Sequence, residues 1–363
     1  MEKQEEHDNS SLAVGFRERV KHVTWAWFLS MMSTGGLSIV LAETLHKFRG
    51  LHTIGLIVFF SDLCLFTILC ICMLARAVLH FHYFKKSFTH PAESFFLGSF
   101  LSISVIIGST QLHGITYGPG YPWLISTINI LYWVYAAISL LNSLFQYHIL
   151  MAKSAVRPIP FLPSAFPAGY STMLTGTISS LIAGRQPPGH AAAIIVSGCA
   201  YQGFRWIISL ICNAFVIKNL MENGLPPPQM RPAFFIPAGA GAYTIVALIG
   251  QANAIPESYE YFAAHPGTKS ILQTLALFSG IFLWLFSFYM FAIAVVANVS
   301  VVGKMPLALA WWAFIFPNVD FTLSTVMIRI ELESEGILWV GSVMTVFLAA
   351  IWCVAFVGCV RAV

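Results

Sequence analysis

Three ionisable side chains lie inside long apolar segments of the sequence, where a charge is costly and therefore indicates a role. Asp62 and Asp320 carry carboxylates, and Arg205 is the one basic residue near the middle of such a segment. A carboxylate away from water can take up and release a proton, and a guanidinium can donate two hydrogen bonds to a carboxylate. We therefore predict Asp320, Arg205 and Asp62 to act as proton or charge partners. The alternatives are a hydrogen-bonded structural carboxyl for Asp320, and an ion pair or a subunit contact for Arg205.

A second set of candidates is uncharged. Hydroxyls, backbone N–H groups freed at helix breaks and the N-termini of half-helices can hold an anion without a fixed positive charge. For His113 the alternative is a histidine satisfied at the membrane interface. The residues predicted to line a pathway and bind an anion are Ser33, Thr34, Gly35, Gly36, Ser109, Thr110, His113, Thr172, Thr175, Thr177, Gly239, Gly241 and Thr244.

Phe316 stands directly before Pro317 in an apolar segment near the C-terminus. A phenyl ring held at a proline kink can plug a narrow apolar constriction, so that gating works by steric block and dewetting. The alternative is ordinary side-chain packing, since the chain contains 30 phenylalanines. The residues alone leave both interpretations of Phe316 and Pro317 open.

The elements that position these residues follow from composition. Of the 363 residues 58% are hydrophobic and only 9% are charged, whereas soluble globular proteins carry about 25% charged residues. A helix that spans a bilayer needs about 20 mostly apolar residues, and ten segments qualify. The fold is therefore predicted to be all-α and polytopic, with a polar tail at 1–22 and a ten-helix domain at 23–360. The ten segments are 23–42, 53–79, 94–113, 124–150, 164–183, 191–217, 233–252, 269–298, 305–327 and 337–360.

Basic residues orient these helices in the membrane. With the N-terminus placed in the cytoplasm, the cytoplasmic regions hold thirteen of the 19 Lys and Arg residues and the outer loops hold five. Cytoplasmic loops carry the excess of positive charge, so both termini are predicted to be cytoplasmic. The net charge of +4 is too small to indicate binding to nucleic acid.

Proline and glycine divide the ten segments into two groups. No proline lies in the even-numbered segments, whereas Pro167, Pro237, Pro306 and Pro317 lie in the fifth, seventh and ninth. Glycine favours the odd-numbered segments as well. Broken backbone is tolerated in a membrane where it is buried in protein or lines a water-filled cavity. We predict five helical hairpins, with the odd helices inside around a central pore and the even ones facing lipid. Close packing of helices is the alternative reason for the glycines.

Five separated motifs carry a resemblance to a known family. They read VKHVTWAWFLSMMSTGGLSIVL, HPAESFFLGSF, FPAGYSTMLTGTISSLIA, RPAFFIPAGAGAYTIVALIG and WWAFIFPNVDFTLST, in this order along the chain. From about residue 20 to 360 the sequence resembles the tellurite-resistance/dicarboxylate transporter family, and most closely its fungal malic acid transporter branch. The plant slow anion channels and the fungal sulfite efflux pumps belong to the same family.

The resemblance implies a fold, a gate and a cargo. It implies five tandem hairpins around a pore lined by helices 1, 3, 5, 7 and 9, assembled as a homotrimer with one pore per subunit, in the plasma membrane. A phenylalanine before a proline on the ninth helix closes the pore of the channel members, and Phe316 and Pro317 match it. The implied function is transport of malate, succinate or related organic anions, with sulfite or a small inorganic anion as the alternative.

An intramembrane enzyme is the rival class of function. The sequence has no zinc-ligand spacing, no nucleophile turn of the GxSxG type and no pair of acids that would plausibly meet. We therefore predict no catalytic residue, no metal site and no cofactor. The predicted partners are a small anionic substrate and the lipid bilayer.

Overall fold

The computed structural model describes residues 15–94, 96–152, 169–305 and 308–362, and over these residues its regular structure is helical, without strands. The α-helices of the described chain are α1 (Phe16–Lys21), α2 (Phe28–Glu43), α3 (Leu51–Leu79), α4 (Phe81–Ser87), α5 (Pro91–Ser94), α6 (Leu97–Phe100), α7 (Ile103–Thr110), α8 (Pro122–Ala152), α9 (Tyr170–Ile182), α10 (Pro188–Asn223), α11 (Ile236–Asn253), α12 (Glu260–Ala264), α13 (Thr268–Val299), α14 (Phe316–Leu332) and α15 (Glu335–Ala362).

Eight helical stretches of the described chain are long and apolar enough to cross a membrane, and they match eight of the ten predicted segments. The third segment is broken into α6, α7 and a π-helical turn at Gln111–Thr116. The fifth contains α9 of 13 residues, while 164–168 with Pro167, and Pro306 of the ninth segment, lie outside the described residues. The count of ten spans therefore stays a prediction at two positions. Arg329 is one of the five basic residues counted above in the outer loops, but it lies in the last turn of α14.

Burial separates these eight stretches into an outer and an inner group. In α3, α8, α10, α13 and α15 between 22% and 33% of the most apolar 18 residues are buried. The values are 83% for the stretch that contains α2, 89% for that of α11 and 72% for that of α14. The outer helices bury a stripe with helical spacing, such as Leu283, Ser287 and Met290, and expose large apolar side chains such as Phe278 and Phe282. Such one-sided helices bury one face in protein and leave the other to lipid.

The inner helices form a closed ring. Each contacts the next in the order α2, α7, α9, α11, α14, and α14 returns to α2. The outer helices pack behind them, with α3 on α2, α8 and α10 on α9, α13 on α11, and α15 on α14. The inner and outer groups predicted from proline and glycine therefore agree with the burial and contacts of these helices.

Small residues let the inner helices approach closely. A Cβ added at Gly36 of α2 would lie 2.8 Å from Val319 Cγ2 of α14, and one at Gly239 of α11 would lie 3.2 Å from Pro317 Cβ. The two inner prolines differ from the prediction, because Pro237 and Pro317 lie in the first turns of α11 and α14 and do not kink a helix in mid-course. Short 3₁₀ stretches precede these helices, and proline is well tolerated in a first turn because it lacks only an unneeded N–H.

Candidate functional site

A small cavity lies inside the inner ring and is lined by all five of its helices. It measures about 30 Å³, which is room for about two water molecules, and it is far smaller than the roughly 300–1,000 Å³ of ordinary ligand pockets. The cavity therefore has no room for an organic anion in this structure. The lining residues are Met32, Gly36 and Ile39 of α2, Ser104, Val105 and Gly108 of α7, Leu174, Thr177, Ile178 and Leu181 of α9, Tyr243 and Val246 of α11, and Phe316, Val319, Asp320 and Leu323 of α14.

Phe316 lies where three inner helices begin. It is the first residue of α14 and only 1% exposed. The ring of Tyr170, the first residue of α9, meets the Phe316 ring edge-on with centroids 6.3 Å apart. The Tyr170 hydroxyl donates a hydrogen bond of 2.5 Å to the carbonyl of Ile236, the first residue of α11. The N-termini of α9, α11 and α14 thus meet around the predicted gate.

Asp320 lies one turn after Phe316 and is the one charged residue among the described residues that line the cavity. It is 4% exposed and faces the hydroxyl of Tyr243 on α11. That hydroxyl also donates to the carbonyl of Phe316, at 3.3 Å. One phenol therefore adjoins both the backbone of the predicted gate and the predicted proton site.

Asp62 and Arg205 lie one layer further out, on the inward faces of α3 and α10. Asp62 is completely buried, and a Cβ added at Gly35 of α2 would lie 2.5 Å from its Oδ2. Arg205 is 1% exposed and packs against Gly169, with its Cζ 5.9 Å from the ring of Tyr170. Its burial inside the protomer rules out the predicted subunit contact. Neither side chain lines the cavity.

Of the other predicted pathway residues, Gly36 and Thr177 line the cavity. Several others serve contacts inside the inner ring. Ser33 donates to the carbonyl of Trp312 at 3.2 Å, Ser109 to that of Gly35 at 3.3 Å, and Thr172 to that of Gly169 at 2.7 Å. Thr110 is half-buried at the end of α7, and Gly239 packs against Pro317.

The remaining predicted residues turn toward the outer helices and away from the cavity. Thr34 accepts a hydrogen bond from Trp352 of α15 at 3.0 Å. The contacts of the others are Thr175 with Ser139 of α8 at 2.9 Å, Thr244 with Gln202 of α10 at 2.9 Å, Gly241 with Ser287 of α13, and His113 with Ser38 at 2.9 Å and with the Phe59 ring of α3 at 5.5 Å. Their predicted role in binding an anion has no support from this geometry.

The sequence interpretation missed the two tyrosines at the gate. Tyr170 and Tyr243 are each 2% exposed, and neither belongs to the predicted set, which consists of glycines, serines, threonines and one histidine. The signal was available: a tyrosine inside a predicted inner helix must find a hydrogen-bond partner away from water. Arg76 of α3 and Glu93 of α5 were also missed as a pair, with Nη1 and Oε2 2.8 Å apart and Arg76 2% exposed.

A closed ring of inner helices around a cavity, inside an apolar outer layer, is the architecture of a polytopic membrane protein. The chain belongs to the voltage-dependent anion channel family, whose model matches residues 22–360. It is 30% identical to a malic acid transport protein of Schizosaccharomyces pombe over 359 residues, covering 96% of this chain and 80% of the relative.

Two further relatives extend the comparison. A putative malic acid transport protein of Schizosaccharomyces pombe is 26% identical, with 95% of this chain and 81% of the relative covered. A sulfite efflux pump of Trichophyton rubrum is 23% identical, with 91% and 88% covered. The protein is thus an integral membrane protein of a family that transports anions, and this family consists of transporters and channels and not of enzymes.

Proposed function

We propose that the protein carries C4-dicarboxylates such as malate and succinate across the membrane, through a pathway closed by Phe316. The observation that carries the proposal is the cavity lined by all five inner helices, with the Phe316 ring as part of its wall. The similarity to the malic acid transport protein of Schizosaccharomyces pombe supports the cargo. We further propose a homotrimer in the plasma membrane with both termini cytoplasmic.

Apart from Asp320 the described lining is uncharged, which suits an anion that is held by dipoles. The first residues of α9, α11 and α14 meet at Phe316, and each helix N-terminus carries roughly half a positive charge. Ser104 and Thr177 add hydroxyls to the cavity wall. Asp320 is the one carboxyl among the described residues of the cavity wall, so we assign to it the binding of a proton during transport.

A smaller anion is the second candidate cargo. The cavity of about 30 Å³ has room for only about two waters, which favours sulfite or an inorganic anion over a dicarboxylate unless the inner ring widens. The sulfite efflux pump among the relatives supports the same alternative.

The test is a flux measurement on the purified protein. Voltage-clamp currents or proteoliposome flux with malate, succinate, sulfite, nitrate and chloride, each at two pH values, report selectivity and proton coupling together. We expect malate and succinate to give the largest flux. Flux of sulfite or chloride without malate would replace the cargo, and no flux of any of these anions would refute the transport of this substrate class.

A further inference from the structure

The hydroxyl of Tyr243 lies next to the backbone of Phe316, the predicted gate. It lies in α11, is 2% exposed and lines the cavity. Its ring packs against that of Tyr170 with centroids 5.7 Å apart, which fixes the direction of its hydroxyl. Gly239, one turn earlier, leaves the space for this arrangement, since an added Cβ would lie 3.2 Å from Pro317 Cβ and 3.4 Å from Tyr243 Cε2.

The hydroxyl of Tyr243 has one proton to donate and two acceptors within reach. It donates to the Phe316 carbonyl at 3.3 Å, a long distance for a bond whose usual length is about 2.7–2.8 Å. The second acceptor is the Asp320 carboxyl. An ionised carboxylate accepts a hydrogen bond roughly twice as strong as a neutral carbonyl does. A protonated carboxyl can itself donate to the phenol oxygen, which leaves the phenol proton for Phe316.

We propose that Tyr243 is a positioning residue that couples the gate to the proton on Asp320. With Asp320 protonated, Tyr243 donates to the Phe316 carbonyl and holds the first turn of α14 in the closed position. With Asp320 ionised, the hydroxyl turns to the carboxylate and the Phe316 peptide loses its restraint. The inference rests on the proposed function, because it takes Phe316 as the residue that closes the pathway.

The other ionisable groups around Tyr243 and Asp320 make contacts elsewhere, so Asp320 is the group whose protonation acts as the switch. From α9, Tyr170 commits its hydroxyl to the Ile236 carbonyl at 2.5 Å. From α8, Tyr135 donates to the Ser171 carbonyl at 2.8 Å. From α10, Arg205 and Cys212 lie beyond Tyr170 and interact with its phenol. From α2 and α7, no ionisable residue is among the described residues that line the cavity, and Asp62 lies behind Gly35.

The test removes the hydroxyl and keeps the ring. Tyr243→Phe is compared with Tyr132→Phe, because Tyr132 of α8 is also buried and its hydroxyl bonds to the Ile194 carbonyl at 3.3 Å and to the Ser197 hydroxyl at 2.7 Å, on the side of α10 and away from the cavity. We expect Tyr243→Phe to raise basal malate flux at acid pH about fivefold, the factor that corresponds to a hydrogen bond of about 1 kcal/mol. Tyr132→Phe should leave the flux unchanged. Both are measured per correctly folded molecule in proteoliposomes.

The pH profile separates positioning from packing. We expect Asp320→Asn, whose amide mimics the protonated carboxyl, to keep basal flux low across the pH range. When Asp320→Asn is added to Tyr243→Phe, the double variant should keep the pH profile of Tyr243→Phe, because the two substitutions act on one interaction.

Two results would overturn the inference. One is a Tyr243→Phe pH profile and flux equal to those of wild type; the other is additive effects in the double variant. Phe316→Ala separates these failures from a failure of the proposed function. If Phe316→Ala raises the flux and Tyr243→Phe leaves it unchanged, only the coupling is refuted. If neither variant changes the flux, the gate itself is refuted. If Tyr243→Phe does not fold, the profile of Asp320→Asn decides, since a wild-type pH dependence in that variant is incompatible with the proposal.

Discussion

Replacement of Phe316 by alanine should open the pathway. The phenyl ring forms part of the wall of a cavity of about 30 Å³, and its loss would enlarge that cavity. Val319 of α14 packs against Gly36 of α2, and Tyr243 is held by its own contacts. We therefore expect the variant to conduct malate without a gating step.

The magnitude follows from the contacts of the ring. Because Phe316 is only 1% exposed, a swing into a hydrated pathway forfeits the burial of the whole side chain, worth about 1.5–3 kcal/mol. The edge-on contact with Tyr170 contributes about 1 kcal/mol more. A closed-state preference of about 2.5–4 kcal/mol corresponds to a factor of about 60 to 700 in the open population. Basal flux should rise within that range.

The assay is malate efflux from proteoliposomes, normalised to folded protein by size-exclusion chromatography. Phe321→Ala is the matched control, because Phe321 lies on the same helix and is 2% exposed. Its ring contacts Trp284 and Phe291 of α13, both at 5.4 Å, and does not line the cavity. Both variants lose a buried phenyl ring, so both should lose a few kcal/mol of stability, but only Phe316→Ala should leak.

Equal flux in wild type, Phe316→Ala and Phe321→Ala would refute the reasoning, since it would show that the closed state does not depend on this ring. Equal leaks in both variants would also refute it, because a leak from general loosening does not single out the cavity.

Other predictions concern helix packing, the Arg76–Glu93 ion pair and membrane topology. Gly198→Ala should lower the melting temperature in detergent and the free energy of unfolding by about 1–3 kcal/mol, because the added Cβ would overlap the Ser179 hydroxyl. Gly203→Ala is the control on the same helix and should be neutral or stabilising, since nothing lies within 4 Å of its added Cβ. Equal melting temperatures of the two variants would contradict the close approach of α9 and α10. Arg76→Met should lower the free energy of unfolding by about 3 kcal/mol, because it leaves Glu93 without its partner. The double variant Arg76→Met with Glu93→Leu should recover part of that loss. Additive losses in this double-mutant cycle would contradict an interaction between the two residues. Epitope tags at either terminus should be reached by antibody only after the cells are permeabilised, and labelling of intact cells would reverse the proposed orientation.

Helix positions could be predicted from the sequence because apolar length alone decides them. The predicted segment 269–298 differs from α13 by one residue at each end. The division into inner and outer helices was also accessible, since broken backbone must be covered by protein in a bilayer. Of the residues that line the cavity, Asp320 could be selected because an intramembrane charge is visible in a single sequence, whereas Phe316 was selected through the resemblance of its motif to the family.

The direction in which each inner side chain points could not be predicted. An inner helix is buried on every side, as the 89% burial of the stretch that contains α11 illustrates, so no polar stripe marks the face toward the cavity. Thr244 and Thr34 therefore looked like pathway residues, although they bond to Gln202 and Trp352 of the outer helices. The π-helical turn at Gln111–Thr116 leaves the apolar pattern unbroken and so was equally hidden.

The meeting of three helix N-termini at Phe316 would make the two mouths of the proposed pathway electrically unlike. An anion that arrives from this end meets the positive ends of α9, α11 and α14, whereas one that arrives from the other end first meets the carbonyl ends of the same helices. The membrane voltage therefore acts on an asymmetric energy profile. The open pathway should rectify, passing current more readily in one direction, and this needs neither a voltage-sensing helix nor a ring of fixed charges.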